Sequence, residues 1–167
     1  LDTMAIYATI SPTNSSFSYY SDDGKANLVS NFDIRDAGEV IQAWPGNLFI
    51  TSDQKNLSEG NRTVRFNIEL ENAIPFQLFG IDVEDFSSLG ATGALDEENQ
   101  TLALQATSGN LKAYGISLDT LSTVITAHKD SVNATLQIEN LFYKTTELGK
   151  LDVDMFASGD TTTSTLL

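Results

Sequence analysis

Thr63-Val64-Arg65-Phe66-Asn67-Ile68-Glu69-Leu70-Glu71-Asn72 alternates apolar and polar residues without a slip. Val64, Phe66, Ile68 and Leu70 fall on one side, and Arg65, Asn67, Glu69 and Glu71 on the other. Successive side chains of a strand point to opposite faces, so the stretch reads as a strand with one face on a core and one in water. The same period recurs at Phe79, Ile81 and Val83, at Leu102, Leu104 and Ala106, at Val132, Ala134, Leu136 and Ile138, and at Leu151, Val153 and Met155. Gly, Asn, Asp and Pro punctuate the gaps. The fold expected from this pattern is all-β: an antiparallel immunoglobulin-like or jelly-roll sandwich with one short helix and an N-terminal extension strand.

The helix is expected over Asp119 to Lys129. Leu118, Leu121, Val124 and Ile125 recur there at helical spacing, Asp119 suits an N-cap, and His128 and Lys129 suit the C-terminal end of a helix dipole. A strand is the competing reading, because Thr120, Thr123, Val124, Ile125 and Thr126 are β-branched.

Outward from these runs the chain divides into three parts. Residues 1–12 form an alternating N-terminal strand, with Met4, Ile6, Ala8 and Ile10 on one face, ending at Ser11-Pro12 before a polar link. Residues 13–158 form the sandwich, to which the apolar groups Val29 to Ile34, Val40 to Trp44 and Leu48 to Ile50 add further strands. Residues 159–167, nearly all Ser and Thr, read as a C-terminal tail.

A length of 167 residues with 41% hydrophobic content suits one domain with a real core. No apolar run nears the roughly 18 residues that a membrane-spanning helix needs. The net charge of -14 repels phosphate backbones and anionic lipid surfaces, which excludes nucleic acid as the expected partner. Cysteine is absent, so disulfides, thiol nucleophiles and thiolate metal sites are ruled out. The start at Leu1 is compatible with a processed or trimmed product. Five Asn-x-Ser/Thr acceptors, at Asn14, Asn56, Asn61, Asn99 and Asn133, exceed the roughly two or three that this composition gives by chance, and they favour an extracellular or cell-surface glycoprotein.

Catalytic chemistry finds little to use. His128 is the only histidine, and its neighbour Ser131 lacks a Gly-x-Ser-x-Gly context. No phosphate-binding glycine loop is present. The acidic groups Asp22-Asp23, Asp82 with Glu84-Asp85, Asp96-Glu97-Glu98 and Asp152 with Asp154 read mainly as solvated turns and strand faces. Among them Asp96, Glu97 and Glu98 form the candidate calcium site, since they fall in an expected loop and calcium prefers carboxylate oxygens. Trp44 with Tyr19 and Tyr20 is the candidate aromatic platform for a sugar.

At Glu71-Asn72-Ala73-Ile74-Pro75-Phe76, between two alternating runs, the chain resembles the late-embryogenesis-abundant type 2 and water-stress and hypersensitive-response domains. Those carry an Asn-Pro-Asn-Pro-Phe turn at this point, and Asn72, Pro75 and Phe76 match it while Ala73 and Ile74 depart from it. The resemblance covers about residues 60–157 and implies an immunoglobulin-like sandwich without a catalytic site. In architecture the chain is also similar to archaeal and bacterial surface-filament subunits that polymerise by donor-strand exchange, including threads, cannulae and TasA-like bundling pili. That likeness implies that Met4, Ile6, Ala8 and Ile10 fill a groove in a neighbouring copy. The expected function is therefore a non-enzymatic structural subunit of an extracellular homopolymer. The alternative is a monomeric binding module of adhesin-like or late-embryogenesis-abundant-like kind, with glycans among its partners.

Overall fold

In the computed structural model, which describes residues 4–36, 61–74, 76, 83–129, 131–158 and 161–166, the alternating stretch is a strand at the heart of one antiparallel sheet. The strands are β1 (Ala5–Ser11), β2 (Asn14–Ser21), β3 (Gly24–Ser30), β4 (Thr63–Leu70), β5 (Val83–Asp85), β6 (Ser88–Asp96), β7 (Thr101–Ala113), β8 (Ile116–His128), β9 (Ser131–Tyr143), β10 (Thr146–Ser158) and β11 (Thr161–Leu166). Their order is β1-β2-β3-β4-β6-β7-β8-β9-β10-β11, with β5 pairing with β7 off this path. The antiparallel all-β class expected from the alternation is the one observed. Its order is that of a meander, and among the described residues a second layer arises where the segments after β3 and before β6 fold back on the sheet.

The register aligns the alternation of every strand into rows that run across the sheet. One row is Ser15, Ser30, Val64, Leu95, Leu102, Ala127, Val132 and Ala157. The next is Ala8, Phe17, Leu28, Phe66, Gly93, Leu104, Ile125, Ala134, Met155 and Ser164. The third is Ile6, Tyr19, Ala26, Ile68, Ala91, Ala106, Thr123, Leu136, Val153 and Leu166. All three lie on one face, which is therefore apolar, whereas the opposite face carries residues such as Asn27, Asn67, Thr92, Gln105, Thr135 and Asp154. Within the second row the Phe66 ring lies over Gly93, where a Cβ would sit 2.3 Å from a ring carbon. Only glycine leaves room for that ring.

Two described segments cover parts of the apolar face. After β3 the chain folds across one end, and the Ser15 hydroxyl, fully buried, donates to the Phe32 carbonyl at 2.9 Å and accepts from the Ile34 amide at 3.1 Å. Ser30 donates to the same carbonyl at 2.8 Å. Phe32 thereby joins Val64, Leu95, Ala127 and Val132 in one core cluster. A short 3-10 turn, Ile34–Asp36, follows, and Asp33 accepts from the Arg35 amide at 3.0 Å and pairs with its guanidinium. At the other end Ala73, Phe76 and Phe86 pack with Tyr19, Leu70 and Leu89 in a second cluster.

The helix expected over Asp119 to Lys129 is not formed; Ile116–His128 is β8. The three-residue spacing that suggested a helix has another cause. A corner crosses the long strands where Asn110 in β7 and Asn140 in β9 adopt φ of 48° and 49°, and Gly149 in β10 adopts 86° beside a register shift. Asp119 sits on this line in β8 and accepts from the Asn140 amide at 2.7 Å, while Asn110 donates to Ser87 at 3.2 Å. At the corner two successive residues face outward and the third returns to the apolar side. Ser108 and Leu111, Leu118 and Leu121, and Ile138 and Leu141 thus share that side three residues apart. Within the single strand β8 this slip sets Leu118 and Leu121 at helical spacing, while Val124 faces the opposite side beside Gln105 and Thr135.

Two further expectations change. The polar link after Pro12 is strand β2, in which Ser15, Phe17 and Tyr19 alternate inward. The Ser/Thr run at the end is not a tail, since Thr161–Leu166 pairs with β10 from Ser158↔Thr161 to Val153↔Leu166. Threonine is β-branched and suits a pleated strand as well as it suits a solvated link. The apolar groups Val40 to Trp44 and Leu48 to Ile50, and the run Phe79 to Ile81, lie outside the described residues.

Candidate apolar binding face

The rows place a set of aliphatic side chains together that neither of the two clusters seen among the described residues includes. Leu104 on β7, Leu121 on β8, Leu136 on β9, and Leu151 and Val153 on β10 share the apolar face, and all five are half-buried. Ala91 and Ala106 continue the third row between them and the covered part. With rows about 7 Å apart, twice the rise per residue, these side chains form an apolar strip across the strands, here termed the furrow, with the buried Ile138 between Leu121 and Leu151. It is bounded on one side by the more deeply buried row through Ala127, Val132 and Ala157 and on the other by the corner.

The furrow offers almost no hydrogen-bonding capacity. Its hydroxyls are Thr123, which donates to the Thr135 carbonyl at 2.9 Å, and Ser108, which donates to the Ser88 carbonyl at 3.1 Å. Both are committed to the sheet's own backbone. A ligand rich in donors and acceptors would lose water there without compensation, whereas a hydrocarbon loses nothing.

Of the N-terminal residues expected as a donor strand, Ile6, Ala8 and Ile10 are on β1 and Met4 lies just before it. β1 pairs with β2 along its length, from Ala5↔Tyr20 to Ser11↔Asn14, so the strand is held within its own chain on one edge. Met4, Ile6 and Ile10 nevertheless remain 50%, 46% and 51% exposed, and Ala8 is exposed as well.

The candidate calcium ligands do not converge. Asp96 accepts from the Asn99 amide nitrogens, backbone at 2.9 Å and side chain at 2.8 Å, and these bonds hold its carboxyl below the usual range. Glu97 is taken by Arg62, whose guanidinium approaches at 2.7 Å, and Glu98 is exposed in the turn. Among the described residues no three His, Asp or Glu side chains are grouped as a metal ion requires. The sequence signal failed because adjacency along a turn does not aim carboxylates at one point.

The aromatic platform is not assembled either. Tyr19 is buried in the second cluster, Tyr20 faces outward and donates to Asn27 at 3.0 Å, and Trp44 lies outside the described residues. His128 is exposed at the β8–β9 turn, and the Ser131 hydroxyl donates to its backbone carbonyl rather than to its ring. On the polar face a shallow depression of about 410 Å³ opens over Ala94 and Ala103, rimmed by Arg65, Thr92, Gln105 and Thr126. It holds no pair of titratable groups. Asn14, Asn61, Asn99 and Asn133 are all exposed, while Asn56 lies outside the described residues.

Comparison with family models, curated proteins and solved structures finds no match to this chain. The described part has no helix long and apolar enough to cross a membrane.

Proposed function

We propose that this chain is a non-catalytic β-sheet module that shelters the hydrocarbon part of a lipid-like ligand in the furrow over β7–β10, and that it works outside the cytoplasm. The observation that carries the reading is the set Leu104, Leu121, Leu136, Leu151 and Val153, half-buried on one face yet outside both core clusters. Leaving such side chains partly wet forfeits stabilisation that an apolar occupant restores, at roughly 0.8 kcal/mol per methylene removed from water. The committed hydroxyls of Thr123 and Ser108 select against polar occupants. The exposed acceptors at Asn14, Asn61, Asn99 and Asn133 support the compartment.

The test is titration of the purified chain with a fluorescent long-chain fatty acid, together with mass spectrometry of any lipid that copurifies. Saturable binding is expected, with loss in Leu136→Asp and in Val153→Asp and retention in the polar-face control Asn133→Asp, all variants keeping the circular dichroism of the parent. A folded parent chain that binds no fatty acid and carries no lipid overturns the proposal.

A further inference from the structure

We propose that copies of this chain join edge to edge, β11 of one copy adding as the next strand beside β1 of another. The outer edges of the described sheet are the starting point. Among the described residues β1 pairs only with β2, and β11 only with β10. Natural sheets protect such edges with charges, proline or bulges, because an open row of amide and carbonyl groups is a template for another strand. Neither β1, Ala-Ile-Tyr-Ala-Thr-Ile-Ser, nor β11, Thr-Thr-Thr-Ser-Thr-Leu, contains a charged residue or a proline, and their ladders run without a register shift.

Strand parity then decides the partner. The path holds ten strands, and every pairing on it is antiparallel. An even number makes β1 and β11 antiparallel to each other. A second copy displaced along the sheet, and turned by its accumulated twist, therefore brings β11 beside β1 in the sense that continues the meander. An odd number would have produced a parallel junction.

The rows fix the register as well. Ile6 and Leu166 end the same row, and Ala8 and Ser164 end another. Continuing those rows across the junction pairs Leu166 with Ile6, Ser164 with Ala8 and, on the opposite face, Thr165 with Tyr7. It covers Ile6, Tyr7 and Leu166, which are 46%, 65% and 70% exposed in the single chain. Because the two contacting surfaces differ, the contact is head-to-tail and propagates as a fibre rather than closing as a dimer. The charge of -14 on each copy opposes association, so added salt promotes it. This proposal is independent of the furrow's ligand.

The absence of native cysteine allows a direct test. Ile6→Cys and Leu166→Cys chains are mixed and oxidised, alongside the out-of-register mixture of Ile6→Cys with Ser164→Cys, and assembly of the parent is followed by sedimentation velocity at low and high salt. The expected results are a disulfide-linked heterodimer from the first mixture at least fivefold above the second, and salt-promoted oligomers of the parent that Tyr7→Lys with Thr9→Lys abolishes without changing its circular dichroism. A parent that stays monomeric at high concentration and salt, equal cross-linking in both mixtures, or oligomers that survive the two lysines would each overturn the proposal.

Discussion

The two halves of this sheet solve the same problem in different ways. From β1 to β6 the strands have seven to nine residues, apart from the three-residue β5, and the described residues just after β3 and after β4 lie off the sheet ladder. The described parts of both excursions return apolar side chains, Phe32 at one end and Ala73, Phe76 and Phe86 at the other. From β7 to β10 each strand has 13 residues and the links are short. No described segment between those strands folds back to cover them. The first half supplies part of a second layer, whose Phe32 reaches Ala127 and Val132 on β8 and β9, and beyond that reach Leu104, Leu121, Leu136, Leu151 and Val153 stay half-buried. A β-sheet's apolar face is therefore a demand for cover, and where the chain does not meet it a site for something else is created.

The largest effect should separate the halves most clearly. Phe86→Ala, in the covered half, is expected to cost about 3–5 kcal/mol in denaturant unfolding, whereas Leu136→Ala, in the furrow, is expected to cost only about 1 kcal/mol. Equal losses would break the comparison. Gly93→Val, on the boundary strand, forces the Phe66 ring off its seat and is expected to cost about 1–3 kcal/mol. A crystal structure of the variant should show that ring displaced.

Ser15→Ala removes the hydroxyl that ties the Phe32 segment to β2, leaving the Ile34 amide without that acceptor. A loss of about 1–2 kcal/mol is expected, with faster hydrogen exchange at Ile34 and none at Leu136. The cover should also respond to acid. Arg35, hydrogen-bonded to Asp33, holds that carboxyl at about 2, well below its ordinary value. A depressed carboxylate stabilises the fold above its unfolded value near 4 and loses that contribution as pH falls through about 2. Asp33→Asn should therefore flatten the dependence of stability on pH across this window. The smallest effect is expected at the exposed Lys25–Glu69 pair on the polar face, 3.0 Å apart, where a double-mutant cycle should find coupling near the limit of measurement.

Much of the sheet was legible because alternation survives in β4, β7, β9 and β10 as a direct record of which face is buried. The corner was not legible. Leu118 and Leu121 carry the same information as a helical repeat, and what distinguishes them is the left-handed backbone at Asn110 and Asn140 in the neighbouring strands, a property of the assembled sheet. β2 escaped because its buried positions include Ser15, a residue that is apolar in effect only once Phe32 and Ile34 satisfy it. β11 escaped because threonine serves links and strands alike. The furrow residues Leu104, Leu136, Leu151 and Val153 were read as core, since alternation reports the side of a strand but not whether anything lies across from it. In the acidic turn Asp96-Glu97-Glu98 the partner of the central carboxylate was not legible either, because Arg62, which claims it, is distant in sequence.

The order of the strands also bears on how the molecule comes into being. Almost every pairing joins a strand to the one synthesised just before it, so the closure entropy for each new ladder is that of a short turn. Among the described strands, the returns across residues 31–62 and 71–87 and the β5–β7 pairing require longer closures. From β6 onward the sheet is suited to grow from one margin, strand upon strand, in the direction of translation. Each newly added strand then occupies the open margin only until its successor arrives.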